Sequence, residues 1–163
     1  MRLDRAWIAA VLSLCVTTGA FEIGKRFNQV QFNAKTTAYF SVMGKAKGKT
    51  TGFIEFIDNT AKGKAILELK YFETGLQLRD EHLRTTLEVE KFPTAMLEFS
   101  GVAGKFDGTL QLHGHTKTVS GTYTVGPVKK LYFKIKLSEF DIIPPSFMGV
   151  TLENEIEIEA SVK

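Results

Sequence analysis

The chain has 163 residues, of which 44% are apolar, 24% charged and 11% aromatic; this composition excludes a disordered, collagen-like or disulfide-dense protein and favours a single globular domain. Its net charge of +3 is too small for nucleic acid to be the main partner. The single cysteine excludes an intramolecular disulfide.

The first twenty residues have the pattern of a secretory signal peptide. Arg2 and Arg5 come before an almost unbroken apolar run over residues 6–16, and small residues lead up to Ala20. The run is about half as long as the roughly 20 residues that a membrane-spanning helix needs, which makes a retained anchor the weaker interpretation. We therefore expect cleavage after Ala20, a mature domain over residues 21–163 and export to the periplasm.

Cleavage at that point also removes the chain's only cysteine, Cys15, and its only tryptophan, Trp7. A mature protein without thiols suits an oxidising compartment, and a chain of this length buries enough surface to be stable without disulfides. A lipoprotein signal at Cys15 is the less favoured alternative, because the bulky Leu14 stands where a lipidation box has a small residue.

After residue 20 the dominant pattern is an alternation of apolar and polar residues, which is typical of half-buried β-strands. Near the C-terminus, for example, Ile156 and Ile158 alternate with Glu155 and Glu157. A weaker strand is expected at 27–32, and turns rich in glycine, asparagine and aspartate, one of them from residue 44, interrupt the alternation. The eight clearer strands are predicted at 38–42, 54–56, 65–71, 95–99, 110–112, 118–125, 131–138 and 150–163.

Residues 78–89 break the alternation and predict one short helix. Leu83 and Leu87 are four apart, so they share a helical face, and Asp80 stands near the start, where a helix favours negative charge. The helix is expected to end before the Phe-Pro step that follows, because the residue before a proline is pushed toward an extended conformation. An ion pair between Asp80 and Arg84 is expected on its exposed side.

Eight antiparallel strands with one apolar face each hide those faces in a sandwich or in a barrel closed on itself. The interior of an eight-stranded barrel is either just filled by side chains or holds one small ligand, and the pattern alone leaves both outcomes open. The side chains predicted to face inward, and to line a tunnel if there is one, are uniformly apolar: Phe40, Val42, Ile54, Phe56, Leu67, Leu69, Tyr71, Leu97, Phe99, Leu110, Leu112, Tyr123, Phe133, Ile135, Ile156 and Ile158.

Residues 79–82 (RDEH) suggest a catalytic site, because a histidine stands beside two carboxylates. Neighbouring carboxylates on a helix point about 100° apart, however, and no serine or cysteine nucleophile signature accompanies them. A structural role is favoured, in which the helix is a lid held to the barrel rim by ion pairs and hydrogen bonds. A further hypothesis places Arg79, His82 and Leu83 at the mouth of the tunnel, against the head group of a ligand.

His113 and His115 are two apart, which in a strand would place both imidazoles on one face as metal ligands. Gly114 between them predicts an exposed hairpin turn, and no third ligand stands nearby in the sequence, so no metal is expected. Lysines in the turns are expected to be solvated charges that favour a transient contact with an anionic membrane surface. These are Lys45, Lys47, Lys49, Lys62, Lys64, Lys129 and Lys130.

Several motifs resemble the YceI-like family over nearly the whole chain after residue 20. The most specific combination is RDEHLR at 79–84, KFPT at 91–94 and GTLQLHGHTK at 108–117. TAYFSV at 37–42, GFIEF at 52–56, EFDI at 139–142 and the final strand continue the resemblance. Two segments, one between Arg84 and Phe92 and one at residues 125–128, are shorter than is common in the family, and both belong to the predicted tunnel mouth.

The resemblance implies an all-β fold, an eight-stranded antiparallel lipocalin-like barrel whose hydrophobic tunnel holds a long isoprenoid lipid such as a quinone or a prenyl phosphate. It implies a periplasmic carrier or binder and not an enzyme, with no cofactor besides the bound lipid, and we expect a monomer or a homodimer. Two alternatives stay open. One is a ligand-free structural or stress-related envelope barrel, and the other is a hydrolase or metal enzyme that uses His82 or the pair His113 and His115.

Overall fold

The computed structural model describes residues 27–46 and 50–162, and the predicted signal peptide at residues 1–20 lies outside them. The described residues form eleven β-strands and one α-helix, α1 (Gln77–Thr86), with short 3-10 helices at Leu69–Tyr71 and Leu137–Phe140. The strands are β1 (Phe27–Thr36), β2 (Ser41–Ala46), β3 (Thr50–Ile57), β4 (Thr60–Glu68), β5 (Phe72–Glu73), β6 (Thr94–Val102), β7 (Lys105–Leu112), β8 (His115–Thr124), β9 (Lys129–Lys136), β10 (Ser146–Phe147) and β11 (Val150–Val162).

The strands form one antiparallel sheet that curls on itself. Its hydrogen-bonded order is β3-β4-β6-β7-β8-β9-β11-β1-β2-β5, and β10 pairs with β11. At one end of this order, β3 approaches β1 to within 8 Å between Cα atoms. The apolar faces of the strands therefore meet inside a barrel, and the all-β, lipocalin-like fold class predicted from the sequence is confirmed.

The number of strands differs from the predicted eight. β1 is a complete strand, because it pairs with β11 on one side and with β2 on the other. Its inward face is carried by Val30, Phe32 and Ala34, which alternate with Gln31 and Asn33 as in other half-buried strands, and the strand extends four residues beyond the predicted 27–32. β5 and β10 have two residues each, too few for an alternation to be recognised.

Two predicted strands are shorter than expected, which moves two aromatic residues out of the barrel. Residues 37–40 form a turn, in which Tyr39 has a φ of 62° and the Thr36 hydroxyl donates to the carbonyl of Phe40 (2.8 Å). Phe40 is therefore 51% exposed, and Tyr71, in the 3-10 helix after β4, is 40% exposed. The inward orientation predicted for Phe40 and Tyr71 is wrong, because side chains alternate between the two faces of a sheet only within a strand.

Gly44 has a packing role, although the sequence predicts a turn there. It lies within β2, opposite Phe32 of β1. A Cβ atom on Gly44 would lie 2.2 Å from the Phe32 ring, so the glycine leaves room for a ring that folds across it. Phe32 in turn meets Phe72 edge-on, with 5.4 Å between the ring centroids.

Helix α1 ends at Thr86 rather than at residue 89. The N–H of Leu87 still bonds the carbonyl of Leu83, but Glu88 has a φ of 45°, a left-handed conformation that ends helices. Asp80 is buried, so the prediction of an ion pair on the exposed side of the helix is wrong. No helix within the described residues is long and apolar enough to cross a membrane.

The barrel interior has two halves of different character. In the half away from α1, aromatic rings fill the space. Phe106 meets Phe99 and Phe133 edge-on, with 5.3 and 6.0 Å between ring centroids, and Phe56 contacts Tyr123 at 5.9 Å. We call this region the aromatic half. Aliphatic and small residues predominate in the half next to α1, where Phe32, Phe72 and Phe133 are the aromatic residues of the wall.

Strand glycines make room for the rings of the aromatic half. A Cβ atom on Gly121 would lie 2.7 Å from the Phe106 ring and 2.3 Å from the carbonyl oxygen of Tyr132, and a Cβ atom on Gly63 would lie 2.9 Å from the Phe99 ring. Such distances are shorter than van der Waals contact allows. The close packing of the rings against the sheet therefore depends on the absence of side chains at these two positions.

Replacing Gly121 with alanine is expected to lower the free energy of unfolding by about 1–3 kcal/mol, the usual cost of overpacking a core. Urea unfolding followed by circular dichroism measures this change. Gly126→Ala is the matched control, because the nearest atom to its added Cβ is 3.9 Å away, and it is expected to change little. An equal loss in both variants would contradict the packing role of Gly121.

Candidate functional site

An apolar cavity of about 150 Å³ lies inside the barrel next to α1. Strands β4, β6, β7, β9 and β11 supply most of its wall, Val30 and Phe32 close it on the β1 side, and Leu83, Thr86 and Leu87 of α1 form its outer wall. The surface that these residues present to the cavity is made of apolar atoms. Such a site binds by dispersion and the hydrophobic effect and not by polar contacts.

Nine of the sixteen residues predicted to line a tunnel do line this cavity, and so does Leu83, which the sequence places at its mouth. The nine are Leu67, Leu69, Leu97, Leu110, Leu112, Phe133, Ile135, Ile156 and Ile158. Most of them lie in strands that remain regular, so that alternate side chains keep pointing inward. Their contact with a ligand stays a prediction.

The remaining inward predictions have other positions. Four belong to the aromatic half: Ile54, Phe56, Phe99 and Tyr123. The Tyr123 hydroxyl donates a hydrogen bond to the carbonyl of Asn59, which satisfies its polar end. Val42 is buried on the inward face of β2 but does not line the cavity, and Phe40 and Tyr71 are exposed as described above.

Sequence reasoning missed several residues of the cavity wall. Leu152 and Ala160 line the cavity and share the inward face of β11, so the alternation of that strand already pointed to them. Phe32 lies in β1, for which the sequence predicts only a weaker strand. Ile142 and Pro145 come from a loop without periodicity, and no feature of the sequence indicates that this loop reaches the cavity.

The N-terminal end of α1 is fixed by hydrogen bonds to Thr74. Asp80 accepts bonds from the amide (2.6 Å) and the hydroxyl of Thr74, while Arg79 donates from Nε to the Thr74 hydroxyl (2.8 Å) and from Nη2 to its carbonyl (2.6 Å). Burial raises the pKa of Asp80, but the bonds from Thr74 and the charges of Arg84 and Arg79 outweigh it and hold the pKa below its ordinary value of 3.8. Arg79 and Asp80 therefore clamp the helix.

The four residues of the RDEH motif do not converge on one point. Arg79 and Asp80 bind Thr74, the Glu81 carboxylate accepts a hydrogen bond from Gln77 (3.1 Å), and His82 is exposed, with its ring 6.1 Å from that of Phe147. Successive helical side chains point in different directions, which explains this separation. Neither Arg79 nor His82 lines the cavity.

His113 is buried, although its hairpin turn predicts exposure. Its Nδ1 lies 3.0 Å from the carbonyl oxygen of Phe140, and its ring is 4.7 Å from that of Phe92. Its Nε2 has no hydrogen-bond partner and lies 3.8 Å from the Glu88 carboxylate. His115, after the turn, is exposed. In the part of the chain that the structure describes, no group of three or more His, Cys, Asp or Glu side chains is arranged to hold a metal ion.

Both the sequence and the fold have known relatives. A family model described as YceI-like domain matches residues 21–163. BcnA of Burkholderia cenocepacia has a TM-score of 0.64 at 16% identity, over 82% of this chain and 94% of that protein. A polyisoprenoid binding domain from Saccharophagus degradans, implicated in plant cell wall breakdown, has a TM-score of 0.58 at 12% identity, over 84% and 93%.

A YceI protein of Campylobacter jejuni has a TM-score of 0.51 at 23% identity, over 75% of this chain and 85% of that protein. At these levels of identity the three structures establish a shared fold. No curated protein matches the chain.

Replacing Asp80 with asparagine is expected to lower the free energy of unfolding by about 1 kcal/mol at pH 7, because hydrogen bonds to a charged acceptor are stronger than those to a neutral one. Since the pKa of Asp80 in the folded protein lies below the ordinary 3.8, the advantage of the wild type is complete above about pH 4 and is lost as the pH falls through the lowered pKa. Urea unfolding at a series of pH values measures both effects.

Asp107→Asn is the matched control for that experiment, because Asp107 is exposed and accepts a hydrogen bond from the Ser120 hydroxyl (2.6 Å). Its effect is expected to stay within about 0.5 kcal/mol. A difference between wild type and Asp80→Asn that stays constant from pH 7 to pH 2 would show that the charge of Asp80 is not what stabilises the clamp.

Proposed function

Because the chain belongs to the YceI-like family, we propose that it is a binding protein whose cavity holds the chain of an isoprenoid lipid. The observation that carries this proposal is the wall of the cavity, which presents apolar atoms throughout. Each CH₂ group moved from water into such surroundings contributes about 0.8 kcal/mol. A five-carbon isoprene unit therefore gains several kcal/mol of gross binding free energy without any polar contact.

Helix α1 is proposed to act as the movable wall of the site. A cavity of about 150 Å³ is the size that accepts one benzene molecule, so a longer chain enters only if a wall moves. The helix lines the cavity through Leu83, Thr86 and Leu87, and as a helix it is not part of the hydrogen-bonded sheet. It moves outward without breaking the strand pairing that holds the barrel together.

We also propose which type of lipid the protein binds and in which compartment it acts. The pattern of residues 1–20 supports export to the periplasm, where the protein carries a lipid of the quinone or prenyl phosphate type and contacts a membrane surface transiently. A related fold is that of a polyisoprenoid binding domain, which supports this class of ligand. The carrier needs no cofactor and no catalytic group, and it acts as a monomer or a homodimer.

A ligand-free structural barrel is the second candidate function, and the aromatic half favours it. The contacts of Phe106 with Phe99 and Phe133 show that this chain fills much of its interior with its own side chains. Nothing comparable favours a hydrolase or a metal enzyme. The RDEH side chains point apart, and the imidazoles of His113 and His115 do not converge.

Native mass spectrometry of the protein purified from its own cells, followed by organic extraction, tests the proposal directly. We expect one isoprenoid lipid per polypeptide, because the apolar wall retains the chain through purification. Bare polypeptide that also fails to take up an added long-chain quinone in detergent solution would contradict lipid binding and leave the structural barrel.

Filling the cavity is expected to abolish lipid retention. Ala65 lines the cavity from β4, and the phenyl ring of Ala65→Phe would take the space of the lipid chain, lowering the copurified lipid by at least about tenfold. His82→Ala, which changes a side chain outside the cavity, is the control and is expected to retain its lipid. Near-ultraviolet circular dichroism verifies that both variants fold. Loss of lipid in the control alone would favour a site at His82.

A further inference from the structure

Large apolar side chains are exposed around the α1 end of the barrel. We call six of them the apolar rim: Tyr39, Leu76, Leu78, Ile143, Phe147 and Met148. Tyr39, Ile143 and Met148 are 83–100% exposed, and the other three are 57–60% exposed. A group of exposed large apolar side chains at one end of a molecule indicates a site of interaction in soluble proteins.

Contacts between the segments that carry the rim bring them together. On α1, His82 stands one helical turn after Leu78, and its ring lies 6.1 Å from that of Phe147 in β10. The turn between β1 and β2, which carries the rim tyrosine, bonds β11 through the Thr37 amide and the Thr151 carbonyl (2.9 Å). The helix, the β10–β11 hairpin and the β1–β2 turn thus present their apolar tips on one side of the molecule.

The rim is continuous with the cavity. Ile142 and Pro145 line the cavity, whereas Ile143 between them is 83% exposed. In α1, Leu83 faces the cavity and Leu78 faces solvent. The same two segments therefore supply both the inner wall of the cavity and the apolar surface outside it.

We propose that the apolar rim is the surface by which this protein docks on a lipid bilayer. The inference rests on the proposed function, because a lipid passes between a membrane and the cavity without crossing water only where the cavity mouth touches the bilayer. Tyr39 and Met148 occupy turns with φ of 62° and 49°, so they project from separate turns and do not form one flat face. A fluid bilayer accepts such projections, whereas a protein partner needs a complementary surface.

Two of the lysines that the sequence suggests for contact with an anionic membrane lie away from the rim. Lys62 and Lys130 stand near the starts of β4 and β9, and they pair with Glu55 at 2.9 Å and with Glu159 at 3.0 Å. The rim itself consists of apolar side chains. We therefore expect docking to depend on insertion of these side chains and to vary little with lipid charge or with salt.

Flotation with vesicles of phosphatidylcholine tests the proposal. The wild type is expected to float with the vesicles at low and at high salt, and the double variant Phe147→Ser, Met148→Ser to bind at least about tenfold less. The control Val102→Ser, Val125→Ser changes two exposed valines at the opposite end of the barrel and is expected to bind as the wild type does. All three proteins share residues 1–26, so any difference comes from the substitutions.

Uptake of a long-chain quinone from detergent micelles, measured on the same proteins, separates docking from ligand binding. Normal uptake together with lost flotation in the rim variant supports docking. Equal flotation of the rim variant and the control overturns it, and so does flotation that requires phosphatidylglycerol and disappears in salt. A dimer that light scattering finds in the wild type but not in the rim variant overturns it in favour of a second copy. Failure of the wild type to take up quinone counts against the proposed function instead.

Discussion

The packing of aromatic rings against glycine backbone divides the barrel interior. The Phe106 ring lies where a side chain on Gly121 would stand, and the Phe99 ring lies against Gly63 in the same way. These contacts bring the rings close to the sheet and to each other, so that aromatic side chains occupy much of one half of the interior. Next to α1 the inward residues are mostly leucines, isoleucines and alanines, which are too short to meet across the barrel. The cavity lies where aliphatic side chains outnumber the rings, of which Phe32, Phe72 and Phe133 belong to its wall.

Helix α1 is held at its two ends and faces the cavity with its C-terminal half. At the first end, Asp80 and Arg79 bind Thr74. Beyond the second end, Glu88 lies beside the buried ring of His113, whose other nitrogen contacts the chain at Phe140. The segment between these anchors carries the side chains that close the cavity.

The parts of the structure that the sequence predicts are those in which a regular pattern runs on without interruption. β11 and β9 keep their alternation, so Ile156, Ile158, Phe133 and Ile135 point inward as predicted. The prediction fails where the chain enters or leaves a strand three residues within the predicted bounds, as it does at Phe40 before β2 and at Tyr71 after β4. Local patterns contain no information about such an exit, because long-range contacts decide where a strand ends.

His113 is the opposite case, because a long-range contact buries a residue that the local pattern predicts to be exposed. The HGH motif predicts an exposed turn, and this is correct for His115 but not for His113. The contact of the His113 ring with Phe140 joins residues 27 apart in sequence. The loop that supplies Ile142 and Pro145 to the cavity is also placed by contacts of this kind. Motifs shared across a family identified the fold, whereas the shape of the site depends on pairs of residues that no motif contains.

The aromatic half also affects how far the proposed lipid would reach into the barrel. Phe133 lines the cavity and packs edge-on against Phe106 of the aromatic half, so the proposed lipid, entering beside α1, would end against these rings. Its inner end would then lie at the same depth whatever its length. Longer lipids would extend further from the opening, and the protein would distinguish them by the part that stays outside.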